Sequence, residues 1–239
     1  MENTEYRSLK LGDPWSEDYA TREAYKAFRT NIMFCGSDKK VIAFTSCLPN
    51  EGKSTISMGI ARSLSEVGKR VLLIDADMRK SNMQSIWLDE TAGEIVGLSQ
   101  FLSGQASKSE AVYATQYPGF HIMFCGPYPP NPVELLDSDN FRNFIAEVRE
   151  EYDYVLIDNA PIGPVIDAAV VARACDGVIL VMAIGKISAR YARTCKAQLE
   201  KSGCPILGTV LNHTERHRRA YYKKDGNYYY YHHYEKNSK

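Results

Sequence analysis

Residues 45–55 read Thr-Ser-Cys-Leu-Pro-Asn-Glu-Gly-Lys-Ser-Thr, between the apolar run Val41-Ile42-Ala43-Phe44 and a helix-like stretch from Ile56 to Val67. Strand, tight loop, Gly-Lys-Ser and helix, in that order, restrict the fold more than anything else in the chain. Such a loop points its backbone N–H groups at phosphate oxygens, where the helix dipole also favours negative charge. Lys53 then reaches the β- and γ-phosphates, and the Ser54 hydroxyl binds Mg²⁺. The expected nucleotide contacts are Pro49, Asn50, Glu51, Gly52, Lys53, Ser54 and Thr55. The full pattern has glycine six residues before the lysine, and Cys47 stands there instead. On this reading Lys53 serves only as ligand charge and has no part in the core.

The rest of the chain fits around that loop. Short apolar runs are expected as strands at 40–45, 71–74, 120–124, 153–157, 177–182 and 205–211. They alternate with helical patterns at 17–34, 55–67, 165–175 and 188–202. Asn131-Pro132-Val133-Glu134 reads as N-cap, Pro at N1 and an acidic N3, opening one helix through about Glu150. Strands apolar on both faces, separated by helices, imply an α/β fold whose mostly parallel sheet is covered on both sides. Ligands then bind outside the carboxyl ends of the strands. With 44% apolar residues, 239 residues suffice for one substantial core. The expected division is an irregular segment 1–15, a folded domain 16–212 and a tail 213–239.

Two acids end one expected strand, in Val71-Leu72-Leu73-Ile74-Asp75-Ala76-Asp77-Met78-Arg79, and a third ends Tyr154-Val155-Leu156-Ile157-Asp158. A carboxylate at the tip of a parallel strand beside a phosphate loop is where Mg²⁺ is held, directly or through water. A lone aspartate there could equally cap a helix. Three of them with the loop point to a metal–nucleotide site. No apolar run approaches the ~20 residues needed to span a bilayer, and Met1–Tyr6 carries no signal-peptide core. Six cysteines at 35, 47, 125, 175, 195 and 204 show no paired short spacing, as expected for reduced thiols of a cytosolic protein.

Past Asn212 apolar periodicity ends. Seven tyrosines, Tyr221, Tyr222, Tyr228, Tyr229, Tyr230, Tyr231 and Tyr234, crowd a segment that cannot pack a core and is expected to be disordered. From His213 onward the net charge is +4, leaving −4 on the remainder although the whole chain balances at 29 of each sign. Aromatics among Lys and Arg could stack on bases, but the folded part is acidic, so no nucleic-acid partner is expected. A flexible acceptor for the nucleotide site is the better reading.

The Asp-x-Asp-x-Arg segment after an apolar run, downstream of Gly-Lys-Ser-Thr, resembles the second Walker motif of bacterial tyrosine kinases, the cytosolic kinases of capsular and exopolysaccharide clusters. Glu23-Ala-Tyr-Lys-Ala-Phe-Arg29 resembles that family's Glu-x-x-Arg-x-x-Arg oligomer motif, with Lys26 in place of the first arginine. Gly126-Pro-Tyr-Pro-Pro-Asn-Pro-Val-Glu-Leu-Leu136 resembles its middle loop, and the tyrosine-rich tail is its hallmark. Asp158-Asn-Ala-Pro161 stands where Asp-Thr-Pro-Pro is commoner. The resemblance implies an ATP- and Mg²⁺-dependent kinase that phosphorylates its own tail tyrosines. Lys53, Asp75, Asp77 and Asp158 would be catalytic. Asp75 would accept the tyrosine proton, while Ser54, Asp77 and Asp158 would hold the metal or its waters; the Asp75 and Asp77 roles could be exchanged. Asn212 would read the base. The resemblance also implies a ring built through Glu23, Lys26 and Arg29, a separate transmembrane adaptor that recruits the cytoplasmic chain to the inner membrane face, and an opposing tyrosine phosphatase. Two alternatives stay open. One is a positioning ATPase of the ParA/MinD class, whose signature lysine is replaced here by Leu48. The other is a catalytically idle regulatory subunit.

Overall fold

The computed structural model describes residues 6–12, 19–88 and 93–214. Along the chain the elements are β1 (Arg7–Leu9), α1 (Tyr19–Phe34), β2 (Val41–Ser46), α2 (Lys53–Ser65), β3 (Val71–Asp75) and α3 (Met83–Trp87). They continue with α4 (Leu98–Leu102), α5 (Lys108–Ala111), β4 (Tyr113–Thr115), β5 (Phe120–Met123), α6 (Pro132–Leu136) and α7 (Asp139–Glu151). The last are β6 (Tyr154–Asp158), α8 (Asp167–Ala172), β7 (Gly177–Ala183), α9 (Ala189–Glu200) and β8 (Ile206–Asn212).

β2, β3 and β6 are buried at every residue, which is why they read as unbroken apolar runs and not as alternations. Among the described residues the sheet has eight strands, ordered β1-β4-β5-β3-β6-β2-β7-β8. Pairings are parallel from β5 through β8. On one face Ile42, Phe44 and Leu73 pack with Ile56 and Ile60 of α2. On the other, Val41, Leu72 and Ile74 pack with Phe141, Phe144 and Val148 of α7. Ala43 and Leu180 meet Cys195 and Leu199 of α9 in a third cluster. The expected α/β architecture, a mostly parallel sheet with helices on both faces, is the one observed.

Three differences have local causes. Residues 7–9, expected to be irregular, form β1, held by pairing Arg7 with Tyr113 and Ser8 with Ala114. β4, short and absent from the sequence reading, runs antiparallel to β5. The single helix expected from Asn131 is two helices. Asn131 precedes Pro132 without a side-chain cap, and α6 stops at Leu136. Ser138 then caps a new helix, accepting the Phe141 N–H at 3.2 Å. No helix among the described residues is long and apolar enough to cross a membrane.

α1 lies along α2. The Tyr25 hydroxyl donates to the Thr55 carbonyl at 3.3 Å, and Phe28 meets Phe44 edge-on at 6.4 Å. Glycine is required at the seam, because a Cβ on Gly59 would lie 2.3 Å from the Tyr25 ring.

Candidate active site

The sheet register assembles the site. β3 and β6 are neighbours with Asp75 opposite Asp158, and β6 also flanks β2, which leads into the phosphate loop. Acids read from two distant segments therefore meet at the carboxyl ends of adjacent strands. α2 begins with Lys53 itself, and its ammonium lies 3.1 Å from Asp158 Oδ2 and 3.2 Å from Asp77 Oδ2. Ser54 Oγ donates to the same Asp158 oxygen at 2.6 Å. Asp75, Asp77, Asp158 and Lys53 are all buried.

Burying ions is costly, and the charges here answer one another. Burial works against a charged Lys53, but Asp158, Asp77 and Asp75 outweigh it and push the lysine up to about 12. Burial, with the negative charge of Asp158 behind it, pushes the Asp75 carboxyl up to about 7 against the pull of Ser81 and Lys53. Burial also raises Asp158, opposed by Lys53 and Ser54. A carboxyl near 7 is poised to exchange protons at neutral pH.

The loop is braced by its own residues and by groups at the ends of β7 and β8. Gly52 caps α2 at φ 91°, and a Cβ there would lie 2.1 Å from Asn212 Nδ2. Glu51 points inward: its carboxylate accepts the Leu48 N–H at 2.7 Å and the Ala183 N–H at 3.1 Å. Its side chain thus ties the loop to the end of β7, and the whole residue is buried. Asn212 donates to the Glu51 carbonyl at 2.9 Å and accepts the His213 N–H at 2.8 Å, so its amide is engaged by the loop. Pro49 and Asn50 form the exposed tip, where Lys186 reaches the Asn50 carbonyl at 2.6 Å.

The donor set fits a hydrated Mg²⁺. Asp158 Oδ1 is buried with no hydrogen-bond donor among the described residues, and Ser54 offers a hydroxyl beside it. No three His, Cys, Asp or Glu side chains among the described residues converge as an all-protein cage. That suits an ion that keeps several waters and takes most of its ligands from phosphates.

Sequence reading missed the groups that brace these acids. Arg79 forms a two-point ion pair with buried Asp167 of α8, at 2.7 and 3.1 Å. Ser81 donates to Asp75 Oδ2. Tyr128 of the loop before α6 donates to the Ser81 carbonyl at 2.8 Å. A hydroxyl shortly after Asp-x-Asp was the available signal for Ser81; nothing local marks Asp167 as the partner of Arg79.

The oligomer motif is only partly presented outward. Glu23 and Lys26 pair at 2.7 Å on the exposed side of α1. Arg29 instead turns onto α2, donating to the Ser63 carbonyl at 2.7 Å and its hydroxyl at 3.1 Å. The three charges do not share one free face. The tail tyrosines, Tyr221 to Tyr234, lie outside the described residues.

Loop, acids and parallel sheet together define a P-loop nucleotide-binding protein. A family model described as "AAA domain" matches residues 39–192. The chain is 41% identical over 201 residues to the tyrosine-protein kinase CpsD of Streptococcus agalactiae serotype III, covering 84% of this chain and 86% of that relative. The solved kinase domain of the Escherichia coli tyrosine kinase ETK superposes with a TM-score of 0.75 at 31% identity, covering 80% of this chain and 74% of that one. The septum site-determining protein MinD from Pyrococcus horikoshii, solved with Mg-ADP, gives a TM-score of 0.61 at 26% identity over 74% of this chain and 71% of its own. The chain belongs to the bacterial tyrosine-protein kinase family.

Proposed function

We propose that the chain is an ATP-dependent tyrosine autokinase that phosphorylates the cluster Tyr221–Tyr234 of a neighbouring copy and thereby regulates capsular or exopolysaccharide synthesis and export. The observation that carries this reading is the junction of Lys53 with Asp77 and Asp158, beside an Asp75 carboxyl poised near neutrality. Such a junction suits phosphoryl transfer, which needs positioning and charge stabilisation more than covalent chemistry. Mg-ATP, when bound, supplies the phosphoryl group. Lys53 would neutralise charge on the transferring phosphate, Ser54 would ligate Mg²⁺, and Asp77 and Asp158 would hold the metal or its waters. Asp75 takes the phenolic proton as the tyrosine oxygen bonds to phosphorus and the bond to ADP breaks.

Mass spectrometry before and after phosphatase or Mg-ATP treatment is the test. Phosphate-sized mass steps on the tail are expected. A chain ending near His213 should stay folded, bind ATP and lack its main acceptor. A chief phosphotyrosine at Tyr25 or Tyr113 would reject the tail as acceptor, and no steps at all would favour the idle subunit.

We further propose a ring in which Glu23 and Lys26 meet the neighbouring copy while Arg29 seats α1 on α2. An activating transmembrane adaptor at the inner membrane face and an opposing phosphatase complete the cycle. Each phosphate adds about −1.5 to −2 charge, so a fully modified tail, +4 before modification, becomes strongly negative and leaves an acidic site. Light scattering should find oligomers for the unphosphorylated protein and monomers after phosphorylation; equal masses would discard the switch.

A further inference from the structure

Asp75 is held at both of its oxygens. Oδ1 accepts the Asp77 N–H at 3.2 Å, and Oδ2 accepts the Ser81 hydroxyl. The direction of the second bond is fixed. An ionised carboxylate only accepts, so the Ser81 proton goes to Asp75 while Ser81 Oγ accepts the Met83 N–H at 3.0 Å. The main chain of Ser81 is itself anchored, because the Tyr128 hydroxyl donates to its carbonyl at 2.8 Å. One chain of bonds thus runs from an exposed tyrosine, through a serine, to the buried acid at the end of β3.

A single bond from Asp77 N–H would leave the carboxylate free to turn about its own axis. The second bond fixes its plane. An ionised carboxylate has about four lone-pair directions, and these two bonds take one on each oxygen.

We propose that Ser81 is a positioning residue for phosphoryl transfer: its hydroxyl holds the plane in which Asp75 receives the acceptor proton, and Tyr128 holds Ser81 in turn. This rests on the reading of Asp75 as the base. Ser81 touches neither nucleotide nor metal on that reading, so it belongs to the rate of transfer and not to nucleotide affinity. A residue that merely started α3 would do neither.

The test uses the full chain with Mg-ATP, reading tail phosphorylation by mass and nucleotide affinity by titration calorimetry. Ser81→Ala should lower kcat about 10- to 100-fold, the cost of a misplaced reacting group, with nucleotide affinity unchanged. Ser81→Thr, which keeps the hydroxyl, should restore the rate to within about threefold of the parent. In an Asp75→Asn background Ser81→Ala should cost nothing further, since a residue acting through Asp75 has nothing left to orient. An unaltered kcat in Ser81→Ala, an equal loss of nucleotide affinity, or a full additional loss on Asp75→Asn each overturns the proposal while leaving the kinase reading in place. Asp75→Asn at the parent rate, or a parent chain that transfers nothing, removes that reading and the proposal with it. Should Ser81→Ala not fold, Tyr128→Phe decides: it removes only the outer bond, and an unchanged kcat overturns the proposal.

Discussion

Lys53→Met is expected to abolish tail phosphorylation and also to destabilise the nucleotide-free protein, more at pH 8 than at pH 6. The first effect follows from losing the cation that meets the transferring phosphate. The second follows from where that cation rests without nucleotide, 3.1 Å from Asp158 and 3.2 Å from Asp77 in a buried site. Removing one partner of a buried ion pair leaves uncompensated charge and typically costs about 3–5 kcal/mol. Methionine restores much of the stem but none of the charge. Asp158, raised by burial and held down by Lys53, then rises further above the unfolded range and binds a proton more readily. A raised carboxyl makes the native state the better proton binder between the unfolded and folded values, and stability there falls as pH rises. Melting curves at the two pH values, beside phosphotyrosine mass, check both effects. Retained transfer, with contaminating kinases excluded, removes the loop from the mechanism. Equal melting of variant and parent would mean that the acids do not depend on Lys53. A lysine read from sequence as ligand charge alone is thus also part of the fold's internal ion balance.

Asp75→Asn should lose about 10²–10⁴-fold in transfer rate, the usual contribution of a general base, while nucleotide affinity stays near the parent value. Its stability should move the other way. Asp75 is fully buried beside Asp158 and its carboxyl is pushed up to about 7. The parent therefore loses stability from this group as pH climbs from the unfolded carboxylate range toward 7, and carries the whole deficit above it. Asparagine has no such penalty, so the variant should melt later than the parent at pH 8 and draw level in acid. The parent's kcat/KM should climb through about pH 7 as the base loses its proton, and that limb should be missing in the variant. A variant of parental activity takes the base role from Asp75 and points to Asp77. A variant that melts earlier at pH 8 contradicts the burial account.

The buried centre of the fold was legible because burial on both faces forces uninterrupted apolar runs. β2, β3, β6 and β7 were all found from composition and length, and the loop from the residues its geometry needs. What escaped depends on partners distant in sequence. β1 is only Arg7–Leu9 and exists by pairing with β4. β4 is equally short and its direction is set across the sheet by β5. The break between α6 and α7 was readable, since Ser138 two residues past Leu136 is a strong helix start; the proline before it drew attention to the first helix alone. At the site, residue identity was easier to read than residue orientation. Glu51 lies in the loop as expected, yet its carboxylate turns inward because Ala183 N–H waits there. Arg29 has the spacing of a surface charge, but Ser63 of α2 takes it. Asn212 sits at the end of β8 and is engaged by the loop's own backbone. Each of these needs knowledge of what the fold brings alongside.

The glycine at the α1–α2 seam gives the two helices a particular mechanical relation. Gly59 has no side chain to compress, so the Tyr25 ring bears on the backbone of α2, and the Tyr25 hydroxyl reaches the carbonyl of Thr55 in its first turn. Arg29 fastens the same two helices farther along at Ser63. A helix clamped at two heights, with no compliant side chain at one of them, moves as a unit with what it is clamped to. The outer face of α1, with Glu23 and Lys26, and the helix that opens with Lys53 form one rigid lever. Whatever grips the surface of α1 is already holding the floor of the phosphate loop.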